Sequence, residues 1–287
     1  MKQRTCGTHD GTFHADEVTA LALLLLFDLI DEDKIVRTRD LSVLNECEFV
    51  CDVGGIYNPE KKRFDHHQSE YDGPLSSAGM VLEYLMDTQS ISEDLYRFFN
   101  HSLILGVDAI DNGQITPQLG HCSFSGVIAN FVPVRYDSGD DVVNRAFFHA
   151  LHFSKNHLKQ LQERFHYINE CASYVEKAMK EGKHLLTFDR SMPWMESFFN
   201  LGGEEHPALF LIMPAGDHWK LRGIPPSMRD KMRVRRPLPK EWAGLLDTDL
   251  EKVSGIDGAL FCHKGRFISV WKTKEGALKA YEKVIAQ

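Results

Sequence analysis

Two histidines and three carboxylates lie close together near the start of the chain, at His9, Asp10, His14, Asp16 and Glu17. Imidazole and carboxylate ligands together suit manganese, zinc, iron or cobalt better than magnesium or calcium. An apolar helical pattern follows directly, so a helix capped by Asp10 or Asp16, with the histidines in a loop, is the alternative explanation. Taken alone, this segment leaves a metal site and a capped helix as two open interpretations.

Two further segments place metal-competent side chains after short apolar strands. Asp52 lies at the tip of one strand and is followed by two glycines, which let a backbone or a ligand come close. Asp65, His66 and His67 follow the next strand, and three consecutive ligand types are hard to assign to packing. When each segment is taken alone, an ordinary turn is enough to explain Asp52, whereas for residues 65–67 a functional role is favoured and a chance surface pair of histidines is the alternative.

A fourth segment carries Asp108 and Asp111, whose spacing of three directs both carboxylates to one face if the segment is helical. Asn112 and Gly113 form an ordinary helix stop, which is the alternative. All four segments lie at the ends of predicted strands or helices within the first 113 residues. Together they hold enough ligands for two divalent cations, and such ions about 3.5 to 4 Å apart recur in phosphoryl transfer. The set therefore predicts phosphorus chemistry at a two-metal centre.

An α/β fold is needed to position these segments. Short apolar runs alternate with helical patterns in the first half of the chain, which predicts a mostly parallel sheet flanked by helices. Side chains at the carboxyl ends of such strands converge at one edge. A long helical pattern over 141–180 ends at Gly182, and the strands, the hairpin at 259–271 and the final helix beyond it predict a smaller α+β domain. The expected domains are 1–182 and 183–287.

The composition is that of a folded protein of about two domains, with 287 residues, 43% hydrophobic and 26% charged. The longest apolar run, 18–30, is shorter than the ~20 residues of a membrane helix, so no membrane segment is predicted. The start of the chain shows no apolar leader, which predicts a cytoplasmic protein.

The six cysteines form no CxxC pair and are expected to be reduced. A net charge of -8 excludes a general coat protein of duplex DNA but is compatible with a local basic patch.

The four segments resemble, in order, the motifs of the DHH phosphoesterase superfamily. The sequence motifs THDGTFHADE, DVGG, FDHHQ and LSSAG more closely resemble those of one branch, the MYG (melanocyte-proliferating-gene) family. This family is also labelled an uncharacterised metal-dependent protein hydrolase family. The stretches RRPLPKEWAGL, VSGIDGALFCHKGRFI and TKEGAL extend this resemblance over nearly the whole chain. It implies a DHH-type N-terminal domain, a second domain that closes over it, and two divalent metal ions. Manganese is the favoured metal, with zinc, iron, cobalt or magnesium as alternatives.

The resemblance also implies a role for each motif residue. The implied metal ligands are His9, His14, Asp16, Asp52, His66 and Asp111. Asp52 is the expected bridge between the ions. His14 departs from the pattern, because many DHH enzymes have Asp there, one residue closer to the first histidine. His67 resembles the histidine that faces the substrate and neutralises a phosphoryl oxygen or protonates a leaving oxygen, and Asp65 would orient a histidine from behind.

RNA is the substrate that the resemblance implies, since MYG members are associated with 3′ to 5′ exonucleolytic degradation of RNA. Residues 220–240 hold eight Lys or Arg and one acidic residue, which suits an anionic chain, although a solvated Pro-rich loop is the alternative. The side chains considered for substrate contact are Ser76, Ser77, Arg222, His263, Lys264, Arg266 and Lys272. The two serines begin a predicted helix, where simple N-capping is the alternative. The Gly-Gly-Gly-His signature usual in the superfamily is absent.

The sequence therefore predicts a phosphodiester hydrolase in which a hydroxide bridging two metals attacks phosphorus in line. The expected substrate is RNA or a short oligoribonucleotide, shortened from its 3′ end. A hydrolase of a dinucleotide or pyrophosphate would share the same metal site and is one alternative. A binding module in which the ions only hold the fold is another, from a different functional class. The protein-hydrolase label is set aside because no Cys/His/Asp or Ser/His/Asp arrangement is visible. The oligomeric state is left open.

Overall fold

The structure is a computed structural model that describes residues 2–116 and 118–286. The chain divides into two compact units, Met1–Phe165 and His166–Gln287. Each unit combines a five-stranded sheet with helices and has its own hydrophobic core. All six cysteines are free thiols.

A mostly parallel sheet forms the centre of the first unit. Its strands are β1 (Lys2–Thr8), β2 (Ile35–Arg37), β3 (Cys47–Cys51), β4 (Tyr57–Asn58) and β5 (Arg63–Phe64). They lie in the order β2-β1-β3-β5-β4, and every neighbouring pair is parallel except β4 with β5. This confirms the predicted sheet. Because parallel strands end on the same side, the segments that follow β1, β3 and β5 meet at one edge.

Helices cover this sheet and contribute most of its core. They are α1 (Ala15–Leu26), α2 (Leu41–Leu44), α3 (Ser77–Asp87), α4 (Glu93–Phe99), α5 (Leu105–Asp111) and α6 (Phe124–Ala129). A π-helical turn, Asn100–Ile104, joins α4 to α5. Helix α1 is buried over residues 15–24 because it is apolar on all sides and packs against α3. Among the described residues, no helix combines the length and apolar character needed to cross a membrane.

The long helix α7 (Asp140–Glu181) matches the prediction over 141–180. Its earlier part contributes Leu158 to the core of the first unit, whereas its later part contributes Cys171 to a core of the second. The boundary between the two units therefore falls within the helix, and not at the expected border between 182 and 183. The apolar face of the helix changes its partners along its length, so the helix end and the unit boundary do not coincide.

A mixed sheet forms the second unit. Its strands are β6 (Leu185–Thr187), β7 (Phe210–Ala215), β8 (His218–Gly223), β9 (Ala259–Cys262) and β10 (Ile268–Trp271). They lie in the order β6-β7-β8-β10-β9, with β6 parallel to β7 and the other pairs antiparallel. The remaining helices are α8 (Met195–Asn200), α9 (Asp247–Ser254) and α10 (Lys274–Ile285). The predicted α+β character of this part is confirmed.

Close packing at the start of α3 depends on a glycine. The N–H of Gly79 donates to Asp108 Oδ1 at 3.0 Å, and a Cβ at this position would overlap Asp108 Oδ2 and lie 2.9 Å from Leu75 Cδ2. We expect Gly79→Ala to lower the free energy of unfolding by roughly 1–3 kcal/mol, because the neighbours must shift to accept a methyl group. Urea denaturation followed by circular dichroism measures this change.

Gly106→Ala is the matched control for that substitution. Gly106 is also helical, and a Cβ there would meet open space. Alanine at this position should be neutral or should stabilise the protein by up to about 1 kcal/mol, because it favours the helical backbone. Equal effects of the two substitutions would contradict the packing described for α3.

Candidate metal centre

The four segments singled out from the sequence meet at one edge of the first sheet. His9 follows β1, Asp52 follows β3, and residues 65–67 follow β5. The first turn of α1 and the residue before it supply residues 14–17, and Asp111 is the last residue of α5. The convergence expected at the carboxyl ends of parallel strands is therefore present in the structure.

Three overlapping groups of side chains could each hold a metal ion, because the ligand atoms within a group lie within 4.8 Å of one another. The groups are His9, His14, Glu17 and Asp52; His14, Asp16 and Asp111; and Asp52, His66 and His67. All six side chains that the family resemblance implied as ligands belong to at least one group. Asp52 and His14 each belong to two groups and so connect neighbouring groups.

Asp52 lies between two histidines. Its Oδ2 is 3.3 Å from His9 Nε2, and its Oδ1 is 3.3 Å from His66 Nε2. The residue has a left-handed backbone, with a φ of 58°, and its N–H donates to the Phe64 carbonyl at 2.9 Å. Such a backbone is uncommon for a residue with a side chain and persists where the surroundings impose it. It directs the carboxylate so that each oxygen faces a different histidine.

Four buried polar atoms at this centre lack a hydrogen-bond partner within the described residues. They are both carboxylate oxygens of Asp16, Asp52 Oδ1 and His66 Nε2. His66 Nε2 lies 3.8 Å from Asp16 Oδ2 and 3.2 Å from Asp111 Oδ2, so these ligand atoms face a common space. Buried polar atoms are almost always paired, and unpaired carboxylate oxygens are especially unfavourable. The donor set therefore fits divalent cations, and its mixture of imidazole and carboxylate suits Mn²⁺.

The pKa values at this centre report an excess of negative charge. Burial lowers the pKa of His9, but its contacts with Asp52 and Glu17 outweigh burial and raise it to about 10. Burial, reinforced by the charges of Asp52 and Glu17, raises the pKa of Asp16 well above its usual value. Burial also opposes ionisation of Asp52, yet its contacts with His66 and His9 hold the pKa of this carboxyl below its usual value. Divalent cations at the same place would neutralise this charge.

Hydrogen bonds from behind orient two of the histidines. His66 Nδ1 lies 2.9 Å from Asn112 Oδ1, which leaves Nε2 free to face the ligand groups. His67 Nδ1 lies 2.8 Å from Asp65 Oδ1, and the other oxygen of Asp65 accepts the Gly55 N–H at 2.6 Å. Outer contacts of this kind set the tautomer and the orientation of metal-site histidines. Asp65 thus contacts His67 in the way that the resemblance implied.

An open cleft of about 730 Å³ lies over the centre. His14 and Arg39 line it, together with His67, whose side chain is 64% exposed. Arg39 Nε lies 3.3 Å from Asp10 Oδ1 at the exposed rim. The glycines at 54–55 form part of the wall, and both have positive φ. The sequence did not identify Arg39, because no motif surrounds it and only the fold brings β2 beside β1.

Ser76 and Ser77 lie deep in the first unit, and both are fully buried. Ser76 Oγ donates to Asp108 Oδ1 at 2.7 Å, and Ser77 Oγ donates to the Phe64 carbonyl at 2.8 Å. The expectation of substrate contact needs correction here, because neither hydroxyl has a surface to offer. Burial raises the pKa of Asp108 to about 6 although the Ser76 hydrogen bonds oppose this rise. Asp108 thus accepts hydrogen bonds from the start of α3. Asp111, three residues later, faces the metal centre.

The other residues considered for substrate contact lie in the second unit. Arg222 is on β8, residues 263–266 form the turn between β9 and β10, and Lys272 follows β10. Their contact with a substrate stays a prediction. The basic tract 220–240 is only partly a solvated loop, because Arg235 and Arg236 donate hydrogen bonds to backbone carbonyls of the second unit.

The chain matches a known family over nearly its whole length. The family model MYG1_exonuc, described as an uncharacterised protein family (UPF0160), matches residues 5–285. The chain belongs to this family. The MYG1 protein of Chlamydia trachomatis serovar D is 51% identical over 284 residues, which cover 99% of this chain and 97% of the relative. The MYG1 exonuclease of Homo sapiens is 31% identical and covers 98% of this chain and 85% of the relative. Membership of an exonuclease family confirms the predicted resemblance and the prediction of a hydrolase.

A solved structure gives a weaker likeness. RecJ from Thermus thermophilus in complex with Mn²⁺ matches 99% of this chain at 11% identity, with a TM-score of 0.29. The chain spans about half of the length of that protein, 52%. A TM-score this low establishes neither a shared fold nor a shared activity.

Glu17 is a member of this centre to which the sequence assigned no ligand role. It is fully buried, its Oε1 lies 3.1 Å from His9 Nε2, and its carboxylate accepts the His14 N–H at 2.9 Å. An acidic residue three positions after the N-cap residue, which is His14 for α1, has the spacing of a capping box. Helix capping alone therefore accounts for Glu17 in the sequence. Only the contact with His9, which the structure shows, indicates that Glu17 also belongs to the metal centre.

The charge of Glu17 should strengthen metal binding. Glu17→Gln keeps the size of the side chain and an oxygen for the His14 N–H, but it removes the negative charge beside His9. We expect the affinity for Mn²⁺ to fall about 10- to 100-fold, as for other residues that support metal ligands. Isothermal titration calorimetry of metal-free protein with Mn²⁺ measures this change. Glu60→Gln, on an exposed turn, is the control and should bind as the unmodified protein does. Equal affinities of both variants would exclude a role for Glu17 in the centre.

Proposed function

We propose that this protein is a divalent-metal-dependent phosphodiester hydrolase that shortens RNA or short oligoribonucleotides from the 3′ end. The position of Asp52 between His9 and His66 carries this proposal, because a carboxylate shared by two ligand groups is suited to hold two cations side by side. The exonuclease names of the human, rat and mouse relatives support the choice of a nucleic-acid chain as substrate. RNA and the 3′ to 5′ direction follow from the family resemblance.

Two overlapping sets of residues in the first unit would bind the two ions. His9, His14 and Asp52 would hold one ion, with Glu17 beside them. His66 would hold the other together with Asp16, Asp52 and Asp111, whose oxygens lie 3.2 to 3.8 Å from its Nε2. When bound, the pair of ions supplies an acidified water as nucleophile and neutralises charge that develops on the phosphoryl oxygens. Asn112 and Asp65 keep the histidines in place from behind, so the ligand geometry is set before substrate arrives.

His67 is the side chain best placed to act on the substrate itself. Its Nδ1 faces Asp65, so its Nε2 is directed away from that carboxylate and its ring is exposed in the cleft. From this position the imidazole can donate a hydrogen bond to a phosphoryl oxygen or a proton to the leaving oxygen, while Asp65 keeps the ring oriented. Arg39 adds a permanent positive charge at the rim of the cleft, and the glycines at 54–55 let a phosphate approach the wall closely.

Loss of His67 should separate catalysis from metal binding. We expect His67→Ala to remain folded and to bind Mn²⁺, because Asp52, His66 and Asp111 remain. Its rate of hydrolysis should fall by about 10²- to 10⁴-fold, the usual contribution of a positioned proton donor. Initial rates on an oligoribonucleotide and calorimetric Mn²⁺ titration measure the two properties. His121→Ala, exposed in the same unit, is the control. Full activity of His67→Ala would remove the proton donor from the proposal.

Loss of the shared carboxylate should abolish hydrolysis. Asp52→Asn retains the shape of the side chain but loses the charge that attracts two cations, so we expect defective metal binding and no detectable turnover. The assay uses Mn²⁺ and an oligoribonucleotide labelled at its 5′ end, on which removal from the 3′ end gives a ladder of shortening products. Asp33→Asn, exposed outside the centre, should behave as the unmodified protein does.

The same assay with other substrates tests the finer parts of the proposal. An oligodeoxyribonucleotide of the same sequence should be cut more slowly than RNA. Immediate release of the labelled nucleotide would indicate the opposite direction, and turnover of only dinucleotide or pyrophosphate would indicate a hydrolase of small substrates. Absence of turnover on every substrate with Mn²⁺, Mg²⁺ and Zn²⁺, while metals bind, would indicate a binding module.

A further inference from the structure

The sheet of the second unit has one closed face and one partly open face. Side chains that point to the closed face lie in the core beneath α9 and α10, namely Ile212, Leu221, Cys262 and Trp271. Because side chains alternate along a strand, their neighbours point to the opposite face. On β7 that opposite face is covered, since Leu211 and Met213 belong to a second core with residues of α7 and α8. Over β8, β10 and β9 it is not covered in this way.

The side chains on this uncovered part are partly exposed and belong to neither core of the unit. They are Lys220 and Arg222 on β8, Ile268 and Val270 on β10, and Phe261 on β9. Lys220 is opposite Val270, which is opposite Phe261, so a row of these residues crosses the three strands. A second row places Arg222 opposite Ile268. A sheet surface of this kind is apolar and basic at once.

Aromatic rings form a continuous strip along this surface. The rings of Phe261 and His263 lie 6.1 Å apart at 83°, and those of His263 and Phe267 lie 4.4 Å apart at 46°. The guanidinium of Arg222 lies 5.8 Å from the centre of the Phe267 ring. All four side chains are neither fully buried nor fully exposed. Their flat faces are therefore held by one another and still have accessible surface.

Positive charge without a partner accompanies these rings. Within the described residues, the side chains of Lys220 and Arg222 form no ion pair and no hydrogen bond, and Arg222 has only its contact with the Phe267 ring. Burial lowers the pKa of both groups, and the charge of Arg222 lowers that of Lys220 further. Two half-buried cations side by side are unfavourable unless an anion binds to them. The surface is thus complementary to a negatively charged ligand that also has flat apolar faces.

We propose that Phe261, His263, Phe267, Lys220 and Arg222 form a stacking platform that binds single-stranded nucleic acid. Bases stack on the three rings, and the neighbouring phosphates contact the two cations. A duplex is not suited to this surface because its base faces are covered by neighbouring base pairs. Three strands about 4.8 Å apart span roughly 10 Å, which accommodates two or three bases. The apolar face of a protein partner would leave both cations unpaired, so the charges favour the nucleic acid.

This inference rests on the proposed function, since it names how the same substrate is held, and it assigns that task to the second unit. It also places Arg222 and His263, two of the side chains considered for substrate contact, beside aromatic rings. Stacking does not depend on base identity, because every base has a π face. The platform therefore predicts binding with little preference for sequence.

Binding of a labelled oligouridylate of about twelve nucleotides to the full-length protein tests this platform. Fluorescence anisotropy in the presence of a chelator measures affinity without hydrolysis. Phe267→Leu keeps an apolar side chain but loses the ring, so we expect about tenfold weaker binding with an unchanged salt dependence. Arg222→Gln removes one phosphate contact, so the slope of log affinity against log salt concentration should decrease by about 0.7. Thermal denaturation verifies that both variants are folded.

Two matched controls separate the platform from general surface effects. Tyr136→Leu removes an aromatic ring that is 108% exposed in the first unit, and Lys252→Gln removes an exposed cation on α9. Both should bind as the unmodified protein does. If Phe267→Leu and Arg222→Gln also bind unchanged, or if the unmodified protein does not bind the oligouridylate, the platform is overturned.

The outcomes distinguish failure of the platform from failure of the proposed function. If the two platform variants weaken binding as stated but the unmodified protein does not hydrolyse RNA with Mn²⁺, the platform stands and the proposed function fails. If RNA is hydrolysed and the platform variants bind and hydrolyse it normally, the platform alone fails.

Discussion

Crowding of negative charge around Asp52 is the constraint on which the rest of the first unit depends. Asp16, Asp52 and Glu17 are almost fully buried. Carboxylate oxygens of Glu17 and Asp52 lie within 4.8 Å of each other, as do those of Asp16 and Asp111. Two like charges 4 Å apart repel by about 4 kcal/mol at the effective dielectric constant of a protein site. Histidines offset part of this repulsion, but Asp16 still has two unpaired oxygens. Cations that join such a cluster relieve the remaining repulsion, so metal binding is expected to stabilise this unit.

The architecture of the first unit follows from the need to hold that cluster against its own repulsion. Parallel strands bring His9 and Asp52 to one edge by their shared direction. Helix α1 is apolar on all sides and buried, so its first turn, with Asp16 and Glu17, cannot swing away without exposing the core. Its amino-terminal end also carries the positive end of the helix dipole, which stabilises nearby carboxylates. Asn112 connects the end of α5 to His66 and also donates to the Pro74 carbonyl at 2.9 Å.

Sequence patterns predicted which side chains converge at this edge, because metal-competent residues at strand ends come with strong local signals. A carboxylate after an apolar strand, as at Asp52, and consecutive ligand types, as at residues 65–67, are visible without knowledge of the fold. Asp108 and Asp111 could not be told apart, because their difference depends on what packs beside them, namely Ser76 for one and His66 for the other. The same limit applies to the unit boundary, which depends on the partners that α7 contacts and not on where its helical pattern ends.

Hydrophobic residues with a binding role are the hardest to identify from sequence. Phe261 and Phe267 lie in or beside strands and have the alternating pattern of ordinary core residues. Only the sheet shows that they point away from the core that contains Cys262 and Trp271. The chemistry of the two units then differs in kind. In the proposed function the metal centre would contact phosphates, which are the same in every nucleotide, and in the proposed platform the flat aromatic rings would bind any base. Neither unit requires a particular sequence, and the stacking surface requires a single strand, so an enzyme built from both parts would degrade chains by their form and not by their sequence.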